Sequence, residues 1–317
     1  MCRQNYPASL LVLCLLLLIP ISGVSQDQKK KKKGGIPKGR YLNLRTQDGI
    51  NLRCAYYESA RAEENGKEVV PVMLIHGWKQ KSSDFHGLAI RLQRAGHTVI
   101  VPDLRGHGRS LSRKNRRGQD EEISYEKMKP VDKKNVWLDV QAVKVRLWQE
   151  HNEGLLNLER LCVVGAREGA MIALDWAARE WSVRDLATGI KRGKNIKALV
   201  LLSPKPFMRY TAQAAFRNPV VQQQLSMMIA VGNADRKAFA ESQKLYRRLE
   251  GKRDKLPEDP QEAQKKRTLY FAAADTDLQG TGLTVGPLRI ADYVADFIRW
   301  RIVSHAEEYP WEERRFP

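Results

Sequence analysis

Cys162-Val163-Val164-Gly165-Ala166-Arg167-Glu168-Gly169-Ala170 is the stretch whose reading decides the fold. Its first residues are apolar, its middle is Gly-x-x-x-Gly, and Met171 to Trp181 beyond it carries a helical pattern. That order describes a strand turning sharply into a helix, which pushes the side chain at the third place of the turn out over the sheet edge. Strand and helix approach so closely in such an elbow that only small residues fit, which accounts for Gly165, Ala166, Gly169 and Ala170. The outward place is held by Arg167. A guanidinium stays protonated at neutral pH and offers no nucleophilic lone pair.

Upstream of the elbow, Tyr41 to Thr46 and Ile50 to Tyr57 alternate apolar and polar residues around Asp48-Gly49, which predicts a hairpin. Val69 to Ile75 is apolar throughout, as in a strand covered on both faces, and it ends at His76-Gly77-Trp78. Ser83 is placed to cap a helix that carries Phe85, Leu88, Ala89 and Leu92 on one face, with Gly96 as its stop. Thr98 to Leu104 is a second buried strand and leads into Arg105-Gly106-His107-Gly108-Arg109-Ser110. Ser112 to Asn135 reads as a polar loop, basic at Arg113, Lys114, Arg116 and Arg117 and acidic from Asp120 to Glu122. A helix from about Val136 to Glu150 follows it.

Downstream, strands are expected at Ile196 to Leu202, Ser226 to Val231 and Thr268 to Ala273, with helices at Lys237 to Leu249 and Leu288 to Ile302. Lys255 to Lys266 reads as a charged loop, and the short Met208 to Gln224 predicts little or no lid. Strands alternating with helices give an α/β protein with a mostly parallel central sheet flanked by helices on both faces. In such sheets functional groups collect at the carboxyl ends of the strands, where His76, Trp78, Asp103, Arg167, Asp235 and the loop from Asp275 to Gln279 all fall.

The chain has 317 residues, 42% hydrophobic and 29% charged, the composition of a folded protein with an ample core. Its formal net charge of +19 favours polyanionic partners in general. Specific nucleic-acid binding is not expected. Arg3, the apolar run Leu10 to Ile19, Pro20 and the small residues of Gly23-Val24-Ser25 resemble an export signal cut near Ser25. The run is shorter than the roughly 20 residues that span a bilayer, so a retained anchor is the weaker reading. An exported protein, periplasmic, envelope-bound or secreted, is expected.

Residues 1–25 are thus read as a signal, 26–40 as a basic linker, 41–304 as the folded domain and 305–317 as a tail. The linker run Lys29, Lys30, Lys31, Lys32 and Lys33 is either a solvated spacer or an electrostatic hook onto an anionic surface or polyanion. Cys54 and Cys162 lie in apolar strands and read as small buried hydrophobes. No CxxC pair or His-x-x-x-His spacing calls for a metal, and no cofactor is expected.

From about Tyr41 to Val303 the chain resembles the α/β-hydrolase family. Four pieces carry the likeness: His76-Gly77-Trp78, the run from Pro102 to Ser110 containing Asp-x-x-Gly-x-Gly-x-Ser, the elbow around Arg167, and Gly232-Asn233-Ala234-Asp235. In active members a Ser at the elbow attacks an acyl carbon, a His after the last strand takes its proton, and an acid orients that His. Two backbone N–H groups stabilise the resulting oxyanion.

The resemblance implies that Trp78 and Glu168 hold the places of those donors, Asp235 that of the acid, and Arg167 that of the nucleophile. No His occurs between His151 and His305, and Gln279 is the best match to the missing base. The triad of Arg167, Asp235 and Gln279 therefore lacks two of its three chemical members.

Arg167 has two readings: an ion pair with Asp235 that plugs an unused site, or, with two free N–H groups, a receptor for a small anion. His76 and Trp78 are further candidates for ligand contact. For the whole protein three readings stand: an exported pseudoenzyme that binds an anionic ligand, a hydrolase using water activated by Asp235 or Asp277, and a cell-surface polyanion-binding protein.

Overall fold

A computed structural model describes residues 36–115, 117–187 and 191–314. The expected signal and the run Lys29 to Lys33 lie outside the described residues. The strands are β1 (Arg40–Arg45), β2 (Ile50–Tyr57), β3 (Pro71–Ile75), β4 (Thr98–Pro102), β5 (Ser112–Lys114), β6 (Asp120–Glu122), β7 (Leu161–Ala166), β8 (Ile196–Leu202), β9 (Ser226–Gly232) and β10 (Leu269–Ala274). The helices are α1 (Ala62–Asn65), α2 (His86–Arg94), α3 (Pro130–Lys134), α4 (Trp137–Asn152), α5 (Glu168–Ser182), α6 (Pro219–Gln223), α7 (Arg236–Glu250), α8 (Pro260–Lys266) and α9 (Ile290–Arg301).

The strands form one mixed sheet in the order β10-β9-β8-β7-β3-β4-β2-β5-β6, with β1 paired to β2. From β10 through β4 every pairing is parallel; β2 then joins β4 antiparallel. The chain runs from β3 outward to β4 and later returns to place β7 on the other side of β3, so the strand order reverses between β3 and β7. Such a reversal opens a crevice at the strands' carboxyl ends.

Side chains alternate between two cores, as the pleat requires. Along β7, Leu161 and Val163 enter the core shared with α4 and α5, beside Val143, Leu147, Ile172 and Trp176. Cys162, Val164 and Ala166 enter the core shared with α2 and α9, beside Leu88, Leu92, Val294 and Phe297. Both faces of β7 are buried, which is why its sequence shows no polar residue. Cys54 and Cys162 are free and buried.

Three local expectations need correction. Ser83 caps nothing: it lies in a 3₁₀ turn, Ser82–Phe85, and α2 begins only at His86. The stretch Lys255 to Lys266 is not all loop, because Asp259 accepts a hydrogen bond from Glu262 N–H and Pro260 opens α8. The polar segment from Ser112 forms the hairpin β5–β6. There Arg113 pairs with Glu121 and Asp132, and Lys114 with Asp120, so these cations are largely neutralised within the fold.

The last described residues are held to the domain. Trp311 Nε1 donates to His151 O at 3.0 Å, and Asn152 Nδ2 to Arg314 O at 2.6 Å. At the other end, Pro37 O accepts from Gln93 Nε2 at 2.9 Å, so the expected linker already touches the domain there.

Candidate functional site

The register Ile75↔Gly165 between β3 and β7 sets His76-Gly77-Trp78 alongside Ala166-Arg167-Glu168 at the crevice. The elbow is formed as the sequence predicts. Arg167 has φ 53° and ψ −120°, a backbone conformation that bulky L-residues rarely adopt. It persists because α5 must start hard against the end of β3. A Cβ on Gly169 would stand 2.3 Å from His76 O and 2.4 Å from Ile75 O.

The Arg167 side chain is half-buried and takes part in no ion pair among the described residues. Its stem crosses Gly280, where a Cβ would meet Arg167 Cγ at 2.6 Å; Gly280 itself has φ +61°. The guanidinium stem therefore runs from the elbow toward the loop after β10, where the family's base would stand.

Asp235 does not pair with Arg167, which corrects the plugged-site reading. Its carboxylate caps α7, accepting from Ala238 N–H at 3.0 Å. Gln279 sits at the carboxyl end of β9, with Nε2 donating to Gly232 O at 3.0 Å. Its Oε1 is buried with no hydrogen-bond partner among the described residues. An acceptor left in that state costs about 1–3 kcal/mol.

The expectation of two free N–H donors also fails, and for a reason invisible in the motif. Trp78 N–H donates to Glu168 Oε2 at 3.0 Å, and Glu168 Oε1 pairs with Lys205 Nζ at 3.0 Å. The Glu168 side chain, with about a tenth of its surface exposed, thus brings its own negative charge to one of the two N–H groups expected as oxyanion donors. The other donor, Glu168 N–H, lies in the first turn of α5 and has no acceptor within the helix. A carboxylate beside a helix N-terminus is electrostatically favoured, so the arrangement is stable where it stands.

His76 leaves the set of ligand contacts. It is fully buried, Nδ1–H donates to Gly77 O at 2.8 Å, and Nε2 accepts from Leu104 N–H at 3.0 Å. Burial, helped by the neighbouring His107, holds its pKa down at about 4, so it is neutral in the folded protein. His107 is likewise occupied between Arg105 O and Lys79 N–H, at 2.9 and 3.1 Å. Trp78 is half-buried, its ring 4.5 Å from that of His107 and 4.4 Å from that of Phe207.

Asp103 and Ser110 are braces. Asp103 accepts from Ser82 N–H and Arg109 N–H, while Ser110 Oγ links Asp103 O to Arg53 N–H. A cavity of about 270 Å³ lies elsewhere, between α4 and α5, lined by Trp137, Lys144, Trp176 and Arg179 among others. None of the elbow residues lines it. Among the described residues, no group of three His, Cys, Asp or Glu side chains is placed to hold a metal ion.

The family model of the alpha/beta hydrolase fold matches residues 70–281. Among solved structures, the chain is similar to a dienelactone hydrolase from Anabaena variabilis at 14% identity and a TM-score of 0.55, over 84% of this chain and 100% of that one. It is similar to fungal esterase from Rhizomucor miehei at 12% identity and a TM-score of 0.56, over 86% of each chain. A thermostable carboxylesterase cloned from a metagenomic library gives 12% identity and a TM-score of 0.54, over 86% of this chain and 91% of that one. Likeness at such identities shows the architecture alone.

Proposed function

This chain belongs to the α/β-hydrolase-fold family, and we propose that it is a non-catalytic member that receives a small anionic ligand at Arg167. The observation that carries the reading is the state of the elbow. Its outward side chain is a cation without a carboxylate partner among the described residues, and one of the two N–H groups that would hold an oxyanion, that of Trp78, is bonded to Glu168. Arg167 offers a guanidinium fork suited to a carboxylate, next to the positive end of α5. Residues 1–25 direct export in this reading, and the ligand is met outside the cytoplasm.

Nucleophilic attack needs a lone pair that Arg167 lacks. Proton transfer near neutral pH needs a base, and the Gln279 amide has no useful proton affinity there. Activation of water by Asp235 finds no support in the geometry, because that carboxylate is engaged as a helix cap.

Two measurements on the purified full chain test the proposal. Simple aryl esters are not turned over and a fluorophosphonate probe does not label the protein. Calorimetry with acetate and benzoate at low ionic strength gives binding that Arg167→Ser abolishes. Ester turnover that disappears on neutralising Asp235 or Asp277 would overturn the non-catalytic reading. Carboxylate binding unchanged by Arg167→Ser would overturn the ligand reading.

A further inference from the structure

About two turns along α5 from Arg167, three guanidinium groups gather on one carboxylate. Asp175 is fully buried; Arg179 Nε lies 2.6 Å from its Oδ2, Arg217 Nη1 3.0 Å from its Oδ1, and Arg209 Nη2 3.8 Å from its Oδ2. Among the described residues no other carboxylate collects three cations; Glu159 and Asp292 each collect two. Nor do these three arginines pair with any other acid there. Three cations facing one anion leave an excess of two positive charges. Each of the three side chains is between about a third and a half exposed, so the excess meets solvent.

The three groups are fixed by three separate pieces of chain. Arg179 stands one helical turn beyond Asp175 on α5, with its guanidinium 5.2 Å from the centre of the Trp137 ring. Arg209 is held in a tight turn closed by Phe207 N–H to Tyr210 O and Tyr210 N–H to Phe207 O, at 2.9 and 2.8 Å. That turn puts Met208 at φ +52°, a conformation a non-glycine residue keeps only when its surroundings impose it. The Tyr210 ring backs the Arg209 guanidinium at 5.6 Å, and Tyr210 is itself anchored by its hydroxyl donating to Lys134 O. Arg217 immediately precedes Asn218, the N-cap of α6. Aromatic backing and ion pairing restrict the guanidinium planes, leaving their outward N–H groups in a preset array.

Like charges brought together on a buried acid are favoured when a second anion shares them. We propose that Arg179, Arg209 and Arg217, held by Asp175, form a binding site for a phosphate monoester. A phosphate ester carries close to two negative charges at neutral pH, with three acceptor oxygens to meet several guanidinium donors at once. Asp175 orients the array; the arginines touch the ligand. The site is separate from Arg167 and stands whether or not that residue binds anything.

Calorimetry with inorganic phosphate at low ionic strength, on the full chain, tests it. Arg209→Gln and Arg217→Gln each weaken binding about tenfold, as expected for loss of a charge-assisted hydrogen bond. The double variant abolishes it, and Arg167→Ser leaves it unchanged. Arg217→Lys, which keeps the charge but loses the fork, lies between wild type and Arg217→Gln. Both glutamine variants keep the shorter Asp175–Arg179 pair; circular dichroism and a thermal midpoint confirm folding. With glycerol phosphate as the probe, affinity falls below about pH 6, where the ester dianion takes up a proton. Absence of phosphate binding in the wild type, or equal binding in the folded double variant, overturns the proposal. Glycerol phosphate and vesicles carrying phosphatidic acid distinguish a soluble ester from a lipid headgroup; preferential binding of either supports the site and names its source.

Discussion

Glu168 occupies one position in the chain and acts at two. Its backbone opens α5, and its side chain reaches a residue 90 positions earlier to bond Trp78 N–H. A carboxylate bonded there competes with any oxyanion for the same donor. Rebuilding the triad alone therefore leaves the site blocked. Arg167→Ser combined with Gln279→His should show no fluorophosphonate labelling above background, and adding Glu168→Ala should raise labelling on the order of 10²-fold, the usual worth of one oxyanion donor. Equal labelling of the double and triple variants would show that Glu168 does not obstruct the hole. The expectation that nucleophile and base are missing was legible at Arg167 and in the absence of a His between His151 and His305. The third obstacle was not, because nothing local tells that the Glu168 side chain turns toward Trp78.

Among the elements, α7 shows how one residue type serves two readings. Asp235 follows β9 at the place the family gives its catalytic acid, and it also stands one residue before a helix. In the folded chain the second role is the visible one. Asp235→Ala should lower stability to urea by about 1 kcal/mol, the typical cost of losing an N-cap, and leave anion binding at Arg167 intact. Loss of that binding with stability unchanged would place the carboxylate in the ligand site. Period-2 and period-3.6 patterns sufficed to find the hairpin, the buried strands and the long helices. They missed α8, whose polar sequence buries none of its residues and so shows no apolar stripe, although Asp259-Pro260 at its start is a recognisable cap signal.

Across the whole molecule, burial makes stability depend on pH. His76 and His97 are both buried, and in each desolvation is the main cause of a pKa lowered to about 4. An unfolded histidine titrates near 6.5, so between about pH 6.5 and 4 the unfolded chain binds more protons than the folded one. Stability is then full above about 6.5 and declines as the pH falls toward 4. For two such histidines the loss from pH 6.5 to 5 is about 3 kcal/mol, read from urea unfolding at each pH. A flat profile over that window would mean that neither ring is kept neutral by the fold.

What the sequence determined by itself was everything that depends on local sterics and periodicity: the elbow with its small residues and Arg167 at its outward place, the doubly buried strands, and the α/β class. What only the tertiary structure decided was which charge meets which. Asp235 turns to its own helix, Glu168 reaches across to β3's end, and Asp175 gathers arginines from α5, the Phe207–Tyr210 turn and the approach to α6. Hydrogen bonds and ion pairs act over a few ångströms, and residues far apart in the chain come within that range only once the sheet and its helices are assembled.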